Sequence, residues 1–332
     1  MSIFKLDFSN LRGDLFGGLT AAIIALPMGL AFGVQSQMGA EAGIYTAVIL
    51  SFFAAFIGGT STLISDPTGP MTVVAATVVT SGIVLYGDLE NSLPIILGTF
   101  ALAGIIQIVF GFLKIAKYVK FMPYPVISGF MTGIGVIIIL LQIFPLLGAE
   151  SPKGIINIIS TVHIPIQKGD WTSLLLGLAT IIIIYVLPLI SKKLPVILIA
   201  LIGTTLASYL FNFNTPTIGH IASGIPDFKA VAFMSLKWSD LSLMIGPAII
   251  LASLGAIDTL LTSVVADNLT KTRHNGSREL MGQGLGNLVT SLFGGIPGAG
   301  ATMGTVTNIN SGAKTKLSGI SKAIFLLGPV EG

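Results

Sequence analysis

Two segments decide the fold of this chain of 332 residues: ISDPTGPMTVVAATVV, residues 64–79, and GGIPGAGATMGTVTN, residues 294–308. Each is mostly apolar but interrupted by glycine and proline. In each, a small or hydroxyl residue is followed by a methionine and then by a Thr/Val run. Proline is tolerated in the first turn of a helix, where its missing N–H is not needed. The sequence therefore predicts that one helix begins at Thr68 and another near Gly300.

The composition is that of an integral membrane protein. Hydrophobic residues make up 53% of the chain and charged residues only 9%, whereas soluble domains carry about 25% charged residues. The chain has no cysteine, which excludes disulfides, thiolate metal sites and cysteine nucleophiles. No cleavage site follows the first apolar run, so we expect the first helix to remain as a signal-anchor.

Eight apolar runs are long enough to cross a bilayer, which takes about 20 residues. They lie near 15–34, 42–60, 93–113, 124–147, 172–190, 195–211, 241–266 and 279–296. We count the shorter runs that begin at Thr68 and Gly300 as two further crossings, and a last apolar run occupies 320–330. The sequence thus predicts an all-α, multi-pass membrane protein.

The distribution of basic residues predicts a cytoplasmic N-terminus, residues 1–14, and we expect the chain to lie in the plasma (inner) membrane. With both short runs counted as crossings, thirteen of the seventeen lysines and arginines fall in cytoplasmic loops, including Lys314, Lys316 and Lys322. This is the bias that the positive-inside rule requires. The polar segment 213–240 is then an extracellular loop. Because topology explains the basic residues, we expect no nucleic-acid partner, and membrane lipid is the surrounding partner.

Two helix starts within a bilayer would form an anion site. The first four N–H groups of a helix have no partner inside it, and the helix dipole adds about half a positive charge there. Broken helices at matching positions of two halves are typical of transporter binding sites. The predicted anion-binding residues are Thr68, Gly69, Gly300, Ala301 and Thr302. The alternative is an ordinary turn in 294–300 and an ordinary helix cap in 65–70.

Asp258 lies in the apolar stretch LGAIDTLLTSVVAD, residues 254–267. A charge at this depth costs about 2.5–3.5 kcal/mol, so an intramembrane acid indicates a functional site. Thr262 follows one helical turn later on the same face. An acid beside an anion site is repulsive unless a cation lies between them. We therefore predict a sodium site, with Na⁺ as coupling ion, formed by Asp258, Thr262, Gly300 and Thr302.

Other interpretations remain open at this point. Asp258 could carry a proton instead of binding sodium, or it could lie in an aqueous loop. Asp66 precedes Pro67 and is interpreted as a helix cap. The histidines His163, His220 and His274 have no metal-ligand spacing, and the chain has no H-E-x-x-H, G-x-S-x-G or P-loop motif. We therefore expect a protein that is not an enzyme. An intramembrane aspartyl protease using Asp66 and Asp258 is a remote alternative.

Three stretches together resemble the SulP anion transporters: residues 17–49, 65–74 and 295–320. The resemblance implies two inverted repeats of seven helices, divided into core and gate domains, with two half-helices meeting at the bilayer midplane. The substrate would lie between the third and tenth helices, and residues 27–31 of the first helix would complete the pocket. In this numbering the first repeat covers 15–212 (the first seven helices) and the second covers 241–332, into the eleventh helix.

The resemblance further implies a homodimer and a cytoplasmic STAS domain. The sequence contains no STAS domain, and we expect the dimer contacts to lie in parts absent from it. Many relatives carry an arginine near the start of the tenth helix, where this chain has Ala301-Thr302-Met303-Gly304. A co-transported cation could replace that fixed charge.

Within the family the likeness is greatest to cyanobacterial sodium-dependent bicarbonate transporters. We therefore expect sodium-dependent symport of a small inorganic anion, most simply bicarbonate, by alternating access. A proton- or sodium-coupled sulfate permease and an anion channel are the alternatives.

Overall fold

The structure is a computed structural model that describes residues 7–119, 124–149, 152, 155–190, 196–213, 215, 228–229 and 233–331. Several sequence predictions lie outside these residues, namely those for His220, for the basic residues Lys5, Lys120, Lys153, Lys192 and Lys193, and for most of the segment 213–240.

The described residues form helices and two short strands, as the composition predicts. The first ten helices are α1 (Leu11–Gln35), α2 (Ala40–Ile57), α3 (Gly69–Tyr86), α4 (Leu89–Phe112), α5 (Ala116–Val119), α6 (Tyr124–Leu146), α7 (Ile155–Thr161), α8 (His163–Lys168), α9 (Trp171–Ile190) and α10 (Val196–Leu210). A 3₁₀ turn, Trp238–Asp240, leads into α11 (Leu241–Thr270), α12 (Gly276–Leu292), α13 (Thr302–Asn310) and α14 (Leu317–Glu331). Strand β1 is Ser65–Asp66 and strand β2 is Ala299–Gly300.

Six helices among the described residues are long and apolar enough to cross a membrane: α1, α2, α3, α4, α9 and α11 with its preceding turn. The two helices predicted as short crossings differ from each other. Helix α3 has 18 residues, so it is a full-length span, whereas α13 has nine residues and is short as predicted.

The described residues divide into two compact units, Met1–Gly129 with Ile221–Gly332, and Phe130–His220. In the first unit, α12 packs against α4 and α2, and α1 packs against α14 and α2. In the second unit, α9 packs along α10. The predicted core domain, which holds both helix starts, corresponds to the first unit.

The first unit repeats one order of elements. Two helices, a two-residue strand and two further helices occur as α1-α2-β1-α3-α4 and again as α11-α12-β2-α13-α14. The strands pair antiparallel, with Ser65 opposite Gly300 and Asp66 opposite Ala299. Antiparallel pairing of equivalent strands is the arrangement expected of inverted repeats.

Glycine allows the close helix packing that this unit requires. A Cβ on Gly43 of α2 would lie 1.8 Å from the carbonyl oxygen of Gly29 on α1. A Cβ on Gly284 of α12 would lie 2.6 Å from the carbonyl oxygen of Gly104 on α4. Small residues at such contacts let membrane helices approach each other at backbone distance.

Candidate functional site

The paired strands bring the starts of α3 and α13 together; we call these two N-termini the helix-start pair. Ala301 donates its N–H to the carbonyl of Ile64 at 2.8 Å, and Ile64 donates its N–H to the Thr305 hydroxyl at 3.0 Å. Residues 62–69 and 294–301 are buried. Neither segment is therefore an ordinary exposed turn.

The two helices begin without side-chain caps. Thr68 precedes α3 and Ala301 precedes α13, and neither makes a capping hydrogen bond. By contrast, Asp88 caps α4 and Asn275 caps α12. Uncapped N–H groups at a buried helix start are available to a ligand.

Two of the predicted anion donors are already engaged. Gly300 donates its N–H to the Thr259 hydroxyl at 3.0 Å, and the Ala301 N–H is bonded to Ile64. The N–H groups of Gly69, Thr302 and Met303 have no acceptor among the described residues. The available donors are therefore one residue later in α13 than the sequence predicts, because a side chain of α11 and the backbone next to β1 occupy the N–H groups of Gly300 and Ala301.

Of the residues predicted for the cation site, Thr262 on α11 contacts both Gly300 and Thr302, and Asp258 belongs to the same helix. The Thr262 hydroxyl donates to the Gly300 carbonyl at 3.0 Å and lies 2.8 Å from the Thr302 hydroxyl oxygen. Asp258 lies one helical turn before Thr262 and is 8% exposed. The alternative that places Asp258 in an aqueous loop is wrong, because α11 continues for twelve residues beyond it, to Thr270.

Asp258 has no cationic partner among the described residues. The Thr68 hydroxyl lies beside its carboxylate, and the buried Thr68 oxygen has no hydrogen-bond partner among the described residues. A carboxylate, hydroxyl oxygens and a carbonyl oxygen are ligands suited to a small hard cation. The described residues contain no cluster of three or more acidic, histidine or cysteine side chains, and a single carboxylate suits a monovalent ion better than Ca²⁺.

Several supporting residues escape the sequence analysis. Besides Thr259, Asn287 on α12 holds the segment before β2, because its amide group bonds both the N–H and the carbonyl of Gly298, at 2.9 and 3.0 Å. Gln107 on α4 accepts from Asn287 at 2.7 Å. Each is a polar residue within an apolar span, which is a signal that could have identified them.

Asp66 is not a helix cap; that prediction is wrong. Its carboxylate pairs with the ammonium of Lys322 on α14, and both side chains are buried. The basic-residue count places Lys322 in a cytoplasmic loop, but in the structure Lys322 is buried within α14. The two residues are 256 positions apart in the chain, so no local pattern could reveal their contact.

Helix α1 packs against α3 and α13, the helices of the helix-start pair. It runs without interruption through Pro27. The implied contribution of residues 27–31 to the pocket stays a prediction, as does each ligand role assigned above.

Inverted repeats in a multi-pass membrane chain, with two uncapped helices starting from one strand pair, are typical of a membrane transporter fold. The chain belongs to the sulfate permease family, whose sequence profile matches residues 11–330. The predicted SulP resemblance is thereby confirmed, and the family is one of permeases, not of enzymes.

The relatives make this assignment more specific. The chain is 51% identical over 334 residues to "Bicarbonate transporter BicA" of a Picosynechococcus species, covering 97% of this chain and 58% of the relative. It is 49% identical to the protein of that name from a Synechocystis species, covering 97% and 57%. It is 33% identical to "Putative sulfate transporter YvdB" of Bacillus subtilis, covering 97% and 60%. The chain thus spans less than two thirds of the length of these relatives.

Solved structures agree with the fold. The transmembrane domain of a cyanobacterium bicarbonate transporter BicA superposes with a TM-score of 0.92 at 49% identity, covering 99% of this chain and 84% of that one. SLC26A9 superposes with a TM-score of 0.82 at 20% identity, covering 97% and 54%. The second match shows the fold alone.

Proposed function

We propose that this chain is the membrane part of a sodium-coupled bicarbonate symporter that works by alternating access. The observation that carries the proposal is Asp258, a buried carboxylate with no cationic partner among the described residues, beside the helix-start pair. A carboxylate at an anion site is repulsive until a cation neutralises it. Binding of the cation and of the anion would therefore be coupled, and each would raise the affinity of the site for the other.

Sodium would bind to the cation site through the Asp258 carboxylate, the Gly300 carbonyl and the hydroxyls of Thr262 and Thr302. The Thr262 hydroxyl would then exchange its hydrogen bond to Gly300 for the ion. Thr302 is exposed within the described residues, so the site is accessible. These ligands are neutral except for one carboxylate, and a bound Na⁺ would leave no net charge in the cation site.

The anion would bind beside the ion at the helix-start pair. The N–H groups of Gly69, Thr302 and Met303 and the Thr68 hydroxyl are the donors that this chain offers. Neither helix start carries a basic side chain. Such a site favours a small anion with one charge, and the names of two relatives point to bicarbonate.

A sodium- or proton-coupled sulfate permease is the second candidate, favoured by the putative sulfate transporter at 33% identity. An anion channel is the candidate from another class. It could use the same helix dipoles, but an acid in an anion path would only slow permeation.

Uptake of labelled bicarbonate and of labelled sulfate by cells that express the intact protein tests these candidates. We expect saturable bicarbonate uptake that collapses when K⁺ replaces Na⁺. Sulfate uptake that ignores Na⁺ would refute sodium–bicarbonate symport and favour the permease. A flux that does not saturate would favour the channel.

The proposal includes a plasma-membrane location, a cytoplasmic N-terminus and, from the family resemblance, a homodimer of the intact protein. Because the chain has no cysteine, a single cysteine introduced at Ser9 can be labelled selectively. Labelling by a membrane-impermeant maleimide only after permeabilisation would support the cytoplasmic assignment. Labelling of intact cells would refute it.

A further inference from the structure

Lys322 on α14 is a fully buried lysine in a membrane-spanning unit. Its ammonium pairs with the Asp66 carboxylate and donates to the carbonyls of Ala47 and Ser65, at 3.0 and 3.1 Å, and to the Ser51 hydroxyl at 2.8 Å. A lysine has only three N–H donors, so this environment saturates it. One side chain therefore ties α14 to α2 and to strand β1.

Stability alone does not explain such a pair. Apolar residues of similar volume often replace buried ion pairs with no loss of stability, because desolvation offsets most of the attraction. A charged side chain within a membrane-spanning segment is costly as well. The pair costs desolvation free energy, and apolar side chains could take its place without loss of stability. Its location at β1 therefore points to a role in fixing the position of that strand.

Strand β1 is directly connected to the cation site. Ser65, whose carbonyl accepts from Lys322, pairs with Gly300 of β2. The preceding residue, Ile64, accepts from Ala301. Gly300 supplies the carbonyl that Thr262 contacts, and Thr302 follows one residue after Ala301. A displacement of β1 would therefore move two of the four predicted cation ligands.

The pair also affects the charge at the site. Asp66 lies next to the first turn of α13, since a Cβ on Gly304 would be 3.4 Å from its carboxylate oxygen. Lys322 cancels this charge. Asp258 is then the one carboxylate at the helix-start pair, within the described residues, that lacks a cationic partner.

We propose that Lys322 is a positioning residue for the cation site: it holds β1 against α2 and α14 and so fixes the Gly300 carbonyl and the Thr302 hydroxyl at the spacing that Na⁺ requires. This inference rests on the proposed sodium coupling. It assigns Lys322 no contact with the ion.

The test measures Na⁺ binding without transport. The intact protein is purified in detergent, and its melting temperature is followed while NaCl replaces KCl at constant ionic strength. The variant Asp66→Asn/Lys322→Gln replaces both charged groups with neutral polar groups and leaves no buried unpaired charge. Loss of a supporting partner typically weakens metal binding about 10- to 100-fold. We expect the Na⁺ concentration that gives half of the stabilisation to rise roughly tenfold.

A matched control is Asp14→Asn. Asp14 is also a buried carboxylate, and it accepts from the backbone of Lys314 and Thr315, at 2.7 and 3.0 Å, and from the Thr315 hydroxyl at 2.6 Å. Asp14 lies in the first turn of α1 and holds the loop between α13 and α14, not β1. This variant should lower the melting temperature in KCl while the half-effective Na⁺ concentration stays that of the wild type.

An unchanged half-effective concentration in the double variant would overturn the proposal and leave Lys322 a purely structural residue. An equal rise in the double variant and in Asp14→Asn would also overturn it. If the double variant does not fold, the half-effective Na⁺ concentration is measured on Lys322→Arg instead. Arginine keeps the charge but cannot reproduce the compact set of contacts, so wild-type Na⁺ binding would again refute the positioning role. A wild-type protein that Na⁺ does not stabilise would instead refute the sodium coupling itself.

Discussion

The two strands of the helix-start pair have similar geometry but are held by different chemistry. Strand β1, before α3, is anchored by a buried ion pair, Asp66 with Lys322. Strand β2, before α13, is anchored by neutral groups, the Thr259 hydroxyl and the Asn287 amide. The charged anchor is internally neutral and saturated. Within the part of the chain that the structure describes, the one carboxylate at the helix-start pair that lacks a cationic partner therefore lies on the β2 side, on α11.

The largest expected effect concerns that carboxylate. Asp258→Asn removes the charge and keeps the shape, so Na⁺-dependent bicarbonate uptake should fall at least about 100-fold, since loss of a residue that merely supports a metal ligand already costs up to about that factor. The measurements are bicarbonate uptake and the rise in melting temperature when NaCl replaces KCl. The control is Asp267→Asn on the same helix, where the carboxylate lies 2.7 Å from a His274 ring nitrogen. Normal Na⁺-dependent uptake by Asp258→Asn would show that the β2 side does not hold the cation.

The second prediction concerns the ion pair between Asp66 and Lys322, which anchors β1. Lys322→Met leaves the Asp66 carboxylate buried without its partner, which should cost about 3–5 kcal/mol of stability. Asp66→Leu/Lys322→Met removes both charges and should recover most of this loss. Expression level and melting temperature in detergent are the measurements. If the single variant is as stable as the double variant, the contact between Asp66 and Lys322 contributes nothing.

A smaller effect is expected at the hydroxyl of Thr302. Thr302→Val removes a group that lies 2.8 Å from Thr262 and that is proposed to contact the ion. The loss of one oxygen ligand of the ion should be comparable with the loss of a hydrogen bond to a charged group, about 1.5–3 kcal/mol, so the half-saturating Na⁺ concentration should rise roughly tenfold or more. Thr307→Val, in the last turns of α13, is the control. Equal kinetics of the two variants would exclude the Thr302 hydroxyl from the cation site.

The smallest effect concerns the loop that leads into β1. Lys316, before α14, donates to the Gly58 carbonyl. Burial and the nearby Arg278 lower the pKa of Lys316 from 10.5 to about 8. Between these two values the unfolded chain binds this proton more tightly than the folded protein, so stability should rise with pH from about 8 to 10.5. Lys316→Gln should flatten that rise in melting temperature, and an unaltered rise would contradict this origin.

The sequence predicts the helix-start pair because glycine and proline interrupt two apolar runs at equivalent positions. It also groups Asp258 with Thr262, since residues four apart share a helical face. It does not predict that the N–H groups of Gly300 and Ala301 are engaged, because a two-residue strand has no periodic pattern. Nor does it predict the Asp66 contact of Lys322, because a lone lysine near an apolar run usually indicates topology. Contacts across the fold carry no local signal.

The strand pair also has a consequence for biosynthesis. Ile64 and Thr305 are bonded although they are 241 positions apart. At about 5–20 residues per second, the ribosome takes roughly 12–50 s to add that length of chain. During this time β1 is already made but has no strand to pair with, and unpaired backbone within a bilayer is costly. The assembly of the site is therefore a late event, and a nascent chain arrested before residue 300 should expose β1 to the quality-control proteases of the membrane.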